Sequence, residues 1–187
     1  MGLTEQEVKQ AIQETYTNVK PTGRQVAERF YSPEELASLP PMAIEMALGV
    51  GNPVRAAQLQ PGEAVLDLGS GAGIDTFIAA RQVGPTGRVI GLDLTPAMLE
   101  RARQNAAWLK LRHVEFVEGP IEAIPLPDAS VEVVISNGVI NLSMKKGTVF
   151  REIFRVLRPG GRFVVSDLLV NGELPPEVLD NPAAWTG

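Results

Sequence analysis

The residues best placed to do chemistry lie in Asp67-Leu68-Gly69-Ser70-Gly71-Ala72-Gly73, where the apolar run Ala64-Val65-Leu66 breaks into alternating glycines before a helical pattern resumes at Ile74. Glycines at 69, 71 and 73 let a backbone turn sharply and lie against a ligand, because a Cβ there would clash or forbid the required dihedrals. A ligand lying on this loop is expected to meet backbone N–H groups at a helix N-terminus. The spacing is Gly-x-Gly-x-Gly and position 74 is Ile, so the Gly-x-Gly-x-x-Gly pattern that cradles a dinucleotide pyrophosphate is not met. Asp67 adds a carboxylate just before the loop. It would repel a pyrophosphate, whereas an ammonium group could donate to it directly or through water.

Further along, Val89-Ile90-Gly91-Leu92-Asp93 is a second apolar run that ends in an acid. A carboxylate there can accept both hydroxyl protons of a ribose diol in one bidentate contact, the usual place for ribose recognition in such folds. Asp93 could instead cap the helix that starts through Thr95-Pro96, and the two roles are compatible. Leu94 and Met98 would then line the adenine side. S-adenosylmethionine carries an ammonium where NAD carries only phosphates, so it is the expected ligand.

These residues need a parallel sheet to hold them. From Ala64 onward short apolar runs alternate with helical patterns, the mark of βαβ units. The pattern predicts strands near 64–68, 88–92, 114–118, 131–136 and 161–168, and helices near 74–83, 96–109 and 146–157. Leu99, Ala102, Ala106 and Leu109 form the buried stripe of the second of these helices, and Val149, Ile153, Phe154 and Leu157 that of the third. Arg158-Pro159-Gly160-Gly161 supplies a helix stop and a tight turn. Residues 1–60 read as a helical extension or lid and 61–187 as the core domain. Within the extension, Thr4-Glu5-Gln6-Glu7 has capping-box spacing, and Val8, Ala11, Ile12, Tyr16 and Val19 follow at helical intervals up to Pro21 and Gly23. Ser32-Pro33-Glu34-Glu35 starts a second short helix that Pro40-Pro41 stops, and the connector that follows holds a helical turn around Val54 to Leu59.

Composition narrows the function. With 187 residues and 44% hydrophobic content, the chain suits one α/β domain. The net charge of −5 comes from scattered residues and concentrates no basic surface, which argues against nucleic acid as the main partner. The N-terminus lacks a signal-peptide pattern and no apolar stretch is long enough for a membrane span, so a soluble cytoplasmic protein is expected. Absence of cysteine excludes disulfides, thiolate metal sites and cysteine nucleophiles. The single histidine, His113, is assigned no catalytic or metal role.

The core from about Glu63 to Asp167 resembles a class I S-adenosylmethionine-dependent methyltransferase. Asp67 to Gly73 corresponds to that family's glycine loop and Asp93 to its ribose acid; Gly119-Pro120-Ile121-Glu122 falls where the family flanks adenine, and Asp128 to Asn137 matches the strand that reaches the methyl donor. The resemblance implies a Rossmann-like doubly wound sheet of strand order 3-2-1-4-5. It implies S-adenosylmethionine as cofactor, and as its contacts Asp67, Gly69, Ser70, Gly71, Gly73, Asp93, Leu94, Met98, Ile121, Glu122 and Asn137. Asn137 and Asn141 could bond the cofactor or orient an acceptor, and for Asn141 a turn role is equally open. Such enzymes usually add antiparallel strands after the fifth. The residues after Asp167, with Pro175, Pro176 and Pro182, read instead as loop and short helix, so those strands are expected to be missing.

A narrower resemblance is to arsenite methyltransferases, carried by Phe30-Tyr31-Ser32, Leu48-Gly49-Val50-Gly51-Asn52-Pro53 and Ser136-Asn137-Gly138-Val139-Ile140-Asn141-Leu142. That group has cysteines where this chain has Val50 and Gly138, and another soon after a tryptophan resembling Trp185. Trivalent arsenic is a soft centre held by thiolates, so arsenite methylation by that route is not expected. Methyl transfer from a sulfonium is an in-line displacement of an already activated donor, so no catalytic acid or base and no metal is assigned. The expected acceptor is a small molecule. A non-catalytic or partner-dependent cofactor-binding protein is the alternative, and a nicotinamide oxidoreductase is disfavoured by the glycine spacing and Asp67. An apolar fifth strand, Phe163 to Asp167, is uncomfortable as an exposed edge, which points to a homodimer.

Overall fold

The computed structural model describes residues 3–172, 175, 178 and 180–186. Five parallel strands form its sheet: β1 (Ala64–Leu68), β2 (Arg88–Asp93), β3 (Val114–Glu118), β4 (Val131–Asn137) and β5 (Leu157–Ser166), in the order β3-β2-β1-β4-β5. The central strand β1 places Val65, Leu66 and Leu68 fully out of water, which is why its sequence shows a near-continuous apolar run rather than alternation. The order reverses between β1 and β4, so their carboxyl ends open a crevice, and the register sets Leu68 beside both Leu92 and Ser136.

Eight helices accompany the sheet in the described residues. Three lie in the core: α6 (Ile74–Val83), α7 (Pro96–Leu109) and α8 (Lys146–Val156). Each matches its expected span to within one residue. The buried stripe of α8 is a correction: Val149, Ile153 and Val156 are buried, whereas Phe154 is 83% exposed. Phe154 stands about 100° around the helix from Ile153, off the stripe that Val149, Ile153 and Val156 form. β5 also begins earlier than expected. Leu157 pairs with Val131 and Arg162 with Val133, so 158–161 bulge out opposite Glu132 and carry the expected Pro-Gly turn inside the strand.

The N-terminal segment supplies five short helices: α1 (Glu5–Thr17), α2 (Arg24–Phe30), α3 (Pro33–Leu36), α4 (Pro41–Glu45) and α5 (Pro53–Ala57). The capping boxes of Thr4 with Glu7 and of Ser32 with Glu35 form as the spacing predicts. Helix α2, with no side-chain cap, was not legible, and Pro41 starts α4 as well as ending its predecessor, since proline fits the first turn. Ala27, Tyr31, Ala43, Val54 and Ala57 share one buried cluster with Val65, Phe77 and Val133 of the core. The extension therefore packs continuously onto the sheet. Of the tail read as loop and short helix, a 3-10 turn at Pro182–Trp185 is seen, and 173, 174, 176, 177, 179 and 187 lie outside the described residues.

Candidate functional site

Ten of the eleven residues named from sequence line one cavity above the carboxyl ends of β1, β2 and β4: Asp67, Gly69, Ser70, Gly71, Asp93, Leu94, Met98, Ile121, Glu122 and Asn137. Gly73 lies behind it. Its φ is +97° and a Cβ there would stand 2.6 Å from Phe77, which packs edge-on to Phe116 beneath the loop, so this glycine serves the turn and the core. Gly71 differs: its φ is +52°, and a Cβ there would meet no protein atom within 4 Å. The space in front of it is open.

The loop does not present its amides in the way the sequence suggested. The N–H groups of Gly69 and Ser70 donate to the Leu92 carbonyl at 2.7 and 3.0 Å, and that of Gly71 donates to Asp93 Oδ2 at 2.8 Å. Gly73 N–H donates to Ser70. The amides of Gly69, Ser70 and Gly71 thus tie the loop to β2 and are not turned to a ligand. Asp93 also accepts from Thr95 N–H through Oδ1 at 2.8 Å, so it anchors the loop and the entry to α7 at once.

Five carboxylates line the cavity; Glu5 and Glu122 pair with lysines, whereas Asp67, Asp75 and Asp93 have no cationic side chain as hydrogen-bond or salt-bridge partner among the described residues. Asp67 accepts from the Thr76 hydroxyl at 2.6 Å; burial, and then the charge of Asp75, push its carboxyl well above the usual range against that bond. Burial pushes Asp75 up to about 6, opposed by donors from Asn137 and Tyr31. Burial raises Asp93 as well, opposed by the Thr95 and Gly71 amides. Such a cluster favours a bound cation. Ser70 adds a hydroxyl that is 6% exposed and whose Oγ has no hydrogen-bond partner among the described residues.

Asn137 proves to be a junction. Its Nδ2 lies within 3.1 Å of Asp75 Oδ2, the Gly51 carbonyl and the Tyr31 hydroxyl, and its Oδ1 accepts from Val50 N–H at 2.8 Å. Tyr31 donates to Asp75 Oδ1 at 2.8 Å. This network, which joins the end of α2 and the 49–51 segment to α6 and β4, was not foreseen, although Tyr31 stood inside the quoted Phe30-Tyr31-Ser32. Across the cavity α1 lies over the site. Gln13 donates to the Leu94 carbonyl at 2.9 Å, and Lys9 reaches Glu122 at 3.3 Å, where Ser143 also donates. Asn141 does not line the cavity; its N–H donates to Asp167 at 3.1 Å. His113 bonds the Ala80 carbonyl at 3.0 Å, away from the site.

A family model described as a methyltransferase domain matches residues 59–187, which takes in the whole sheet and both acids that end β1 and β2. The chain belongs to the methyltransferase domain family. Among relatives of this chain, the arsenite methyltransferase of Halobacterium salinarum is 48% identical over 157 residues, covering 84% of this chain and 40% of that protein. The demethylmenaquinone methyltransferase of Lactococcus lactis is 41% identical over 103 residues, 55% of this chain and 41% of that one. The crystal structure of an arsenic(III) S-adenosylmethionine methyltransferase from Chlamydomonas reinhardtii superposes with a TM-score of 0.66 at 38% identity, over 88% of this chain and 55% of that chain. The chain thus spans about two-fifths of the length of these curated relatives. No helix among the described residues is long and apolar enough to cross a membrane, and no group of metal-ligating side chains is found among them.

Proposed function

We propose that the chain binds S-adenosylmethionine in this cavity and transfers its methyl group to a small-molecule acceptor. The observation that carries the reading is that Asp67, Asp75 and Asp93 line one cavity with Gly71, in front of which the space is open, and have no protein cation as partner among the described residues. The donor brings a sulfonium carbon already activated for displacement. Its cationic groups match the carboxylates, and its ribose diol suits Asp93, whose oxygens keep lone pairs beyond those used by Gly71 and Thr95. Ser70, Leu94, Met98, Ile121 and Glu122 complete the cofactor contacts, and Asn137 supports the wall. Helix α1, as part of the 1–60 extension, acts as the lid that keeps water out. An acceptor electron pair forms the new bond to the methyl carbon while the carbon–sulfur pair returns to sulfur, and an acceptor proton passes to solvent. The chain's contribution is alignment and desolvation.

Titration calorimetry tests this reading. S-adenosylmethionine should bind with micromolar-scale affinity, about −8 kcal/mol, and NAD should not bind. The pH dependence has a definite sign. Asp75, at about 6 in the folded chain against a reference of 3.8, favours folding when protonated, so its contribution of roughly 3 kcal/mol is present below pH 3.8 and lost as pH rises through 6. A bound cation favours the ionised form, so binding should release protons and tighten by about tenfold between pH 5 and 7. NAD binding alone, or affinity that weakens over that range, would overturn the proposal.

We further propose that two copies pair through the outer edge of β5, the last strand of the sheet among the described residues. Phe163 is 51% exposed beside Phe150, at a ring separation of 6.0 Å, and Phe154, Leu168 and Leu169 extend the apolar strip. Antiparallel pairing of this edge about a two-fold axis sets the Arg158 end of one strand towards the Asp167 end of the other. Sedimentation equilibrium should give twice 20.1 kDa. A monomer at all concentrations rules the pairing out.

A further inference from the structure

Beyond the carboxylates the cavity changes character. Its wall runs from Leu48, across Gly138 and Val139 at the end of β4, to Leu142 and Met144. Leu48 is 44% and Met144 41% exposed, so the mouth offers water two large apolar side chains. Gly138 holds φ at +73°, the left-handed turn by which the chain leaves β4 along this wall. The charged residues on the lid side are already committed to one another. Lys9 pairs with Glu5 at 2.7 Å and with Glu122 at 3.3 Å, and Glu5 also pairs with Lys145. Once a donor's cationic group occupies the aspartates, a charged acceptor pressed against this wall would lose its hydration without gaining a partner. A soft metalloid would find no thiolate, since the chain has no cysteine.

We infer that the methyl acceptor is an uncharged, largely apolar molecule that enters between Leu48 and Met144 and lies on Val139 and Leu142. This rests on the methyl-transfer reading of the same cavity, and the two can fail separately. The probe is 2-naphthol, followed by its own fluorescence on the full chain, with and without S-adenosylhomocysteine. Its charged relatives 2-naphthoate and 2-naphthylmethylammonium serve for comparison, together with arsenite.

Naphthol should bind with or without S-adenosylhomocysteine, at least tenfold more tightly than 2-naphthoate in both states and than the ammonium relative once S-adenosylhomocysteine fills the aspartates, and arsenite should not compete. Leu48→Asp and Met144→Asp, at half-exposed rim positions that the fold tolerates, should each weaken naphthol at least tenfold and change S-adenosylhomocysteine affinity less than twofold. Tighter binding of the ammonium relative in the presence of S-adenosylhomocysteine, competition by arsenite, or naphthol binding indifferent to both substitutions would overturn the inference. Failure of S-adenosylhomocysteine to bind would overturn the donor reading instead, and the naphthol series on the free chain would still report the character of the wall.

Discussion

Gly71→Val is expected to reduce affinity for S-adenosylmethionine at least 100-fold while the chain remains folded. The argument is one of space. A Cβ at 71 meets no protein atom within 4 Å, so the valine side chain would enter the cavity rather than the core, where it takes room the donor needs. The backbone must still hold φ at +52°, which costs a β-branched residue about 2 kcal/mol. That strain should lower the thermal midpoint by roughly 4–8 °C in a chain of this size. Gly71→Ala imposes milder strain and a smaller obstruction, and should fall between the two in calorimetry. A graded loss of affinity across glycine, alanine and valine, with circular dichroism unchanged, is the outcome that steric exclusion demands. Retained affinity in the valine variant would place the ligand elsewhere.

The contrast with Gly73 shows how far the sequence could be read. All three loop glycines fit the same local pattern, and nothing in the spacing separates one that faces a ligand from one that accommodates Phe77. That distinction depends on which long-range neighbour fills the space behind the loop. The sheet itself was legible because apolar runs of strand length alternate with helices of strong periodicity, and the strand order followed from the family resemblance. The short N-terminal helices were less so. Helix α2 has no capping side chain, and its burial comes from Ala27 and Tyr31 meeting the core rather than from a pattern of its own. Tyr31, Asp75 and Asn137 stand far apart in the chain, so their hydrogen-bond network has no sequence signature. The exposed Phe154 arose because an apolar residue beside a buried stripe looks the same whether it faces core or solvent.

Asp93→Ala should weaken S-adenosylmethionine by about 1.5–3 kcal/mol, roughly 10- to 150-fold, the range for hydrogen bonds to a charged group. Two origins for that loss have to be told apart, because the carboxylate already accepts from Gly71 N–H and Thr95 N–H at 2.8 Å each. If Asp93 acts only as an anchor for the loop and the start of α7, its removal lets Gly71 drift and weakens every adenosyl ligand alike. If it also grips the ribose, the loss depends on the hydroxyls. The discriminating ligand is the 2′,3′-dideoxy analogue of S-adenosylhomocysteine, measured against the parent compound on both forms of the chain. The unsubstituted chain should prefer the parent by at least tenfold, and Asp93→Ala should bind the two nearly equally, since the coupling between carboxylate and diol is what such a cycle isolates. Equal preference in both forms would reduce Asp93 to a structural anchor, and the pull on the donor would then fall to Asp67 and Asp75.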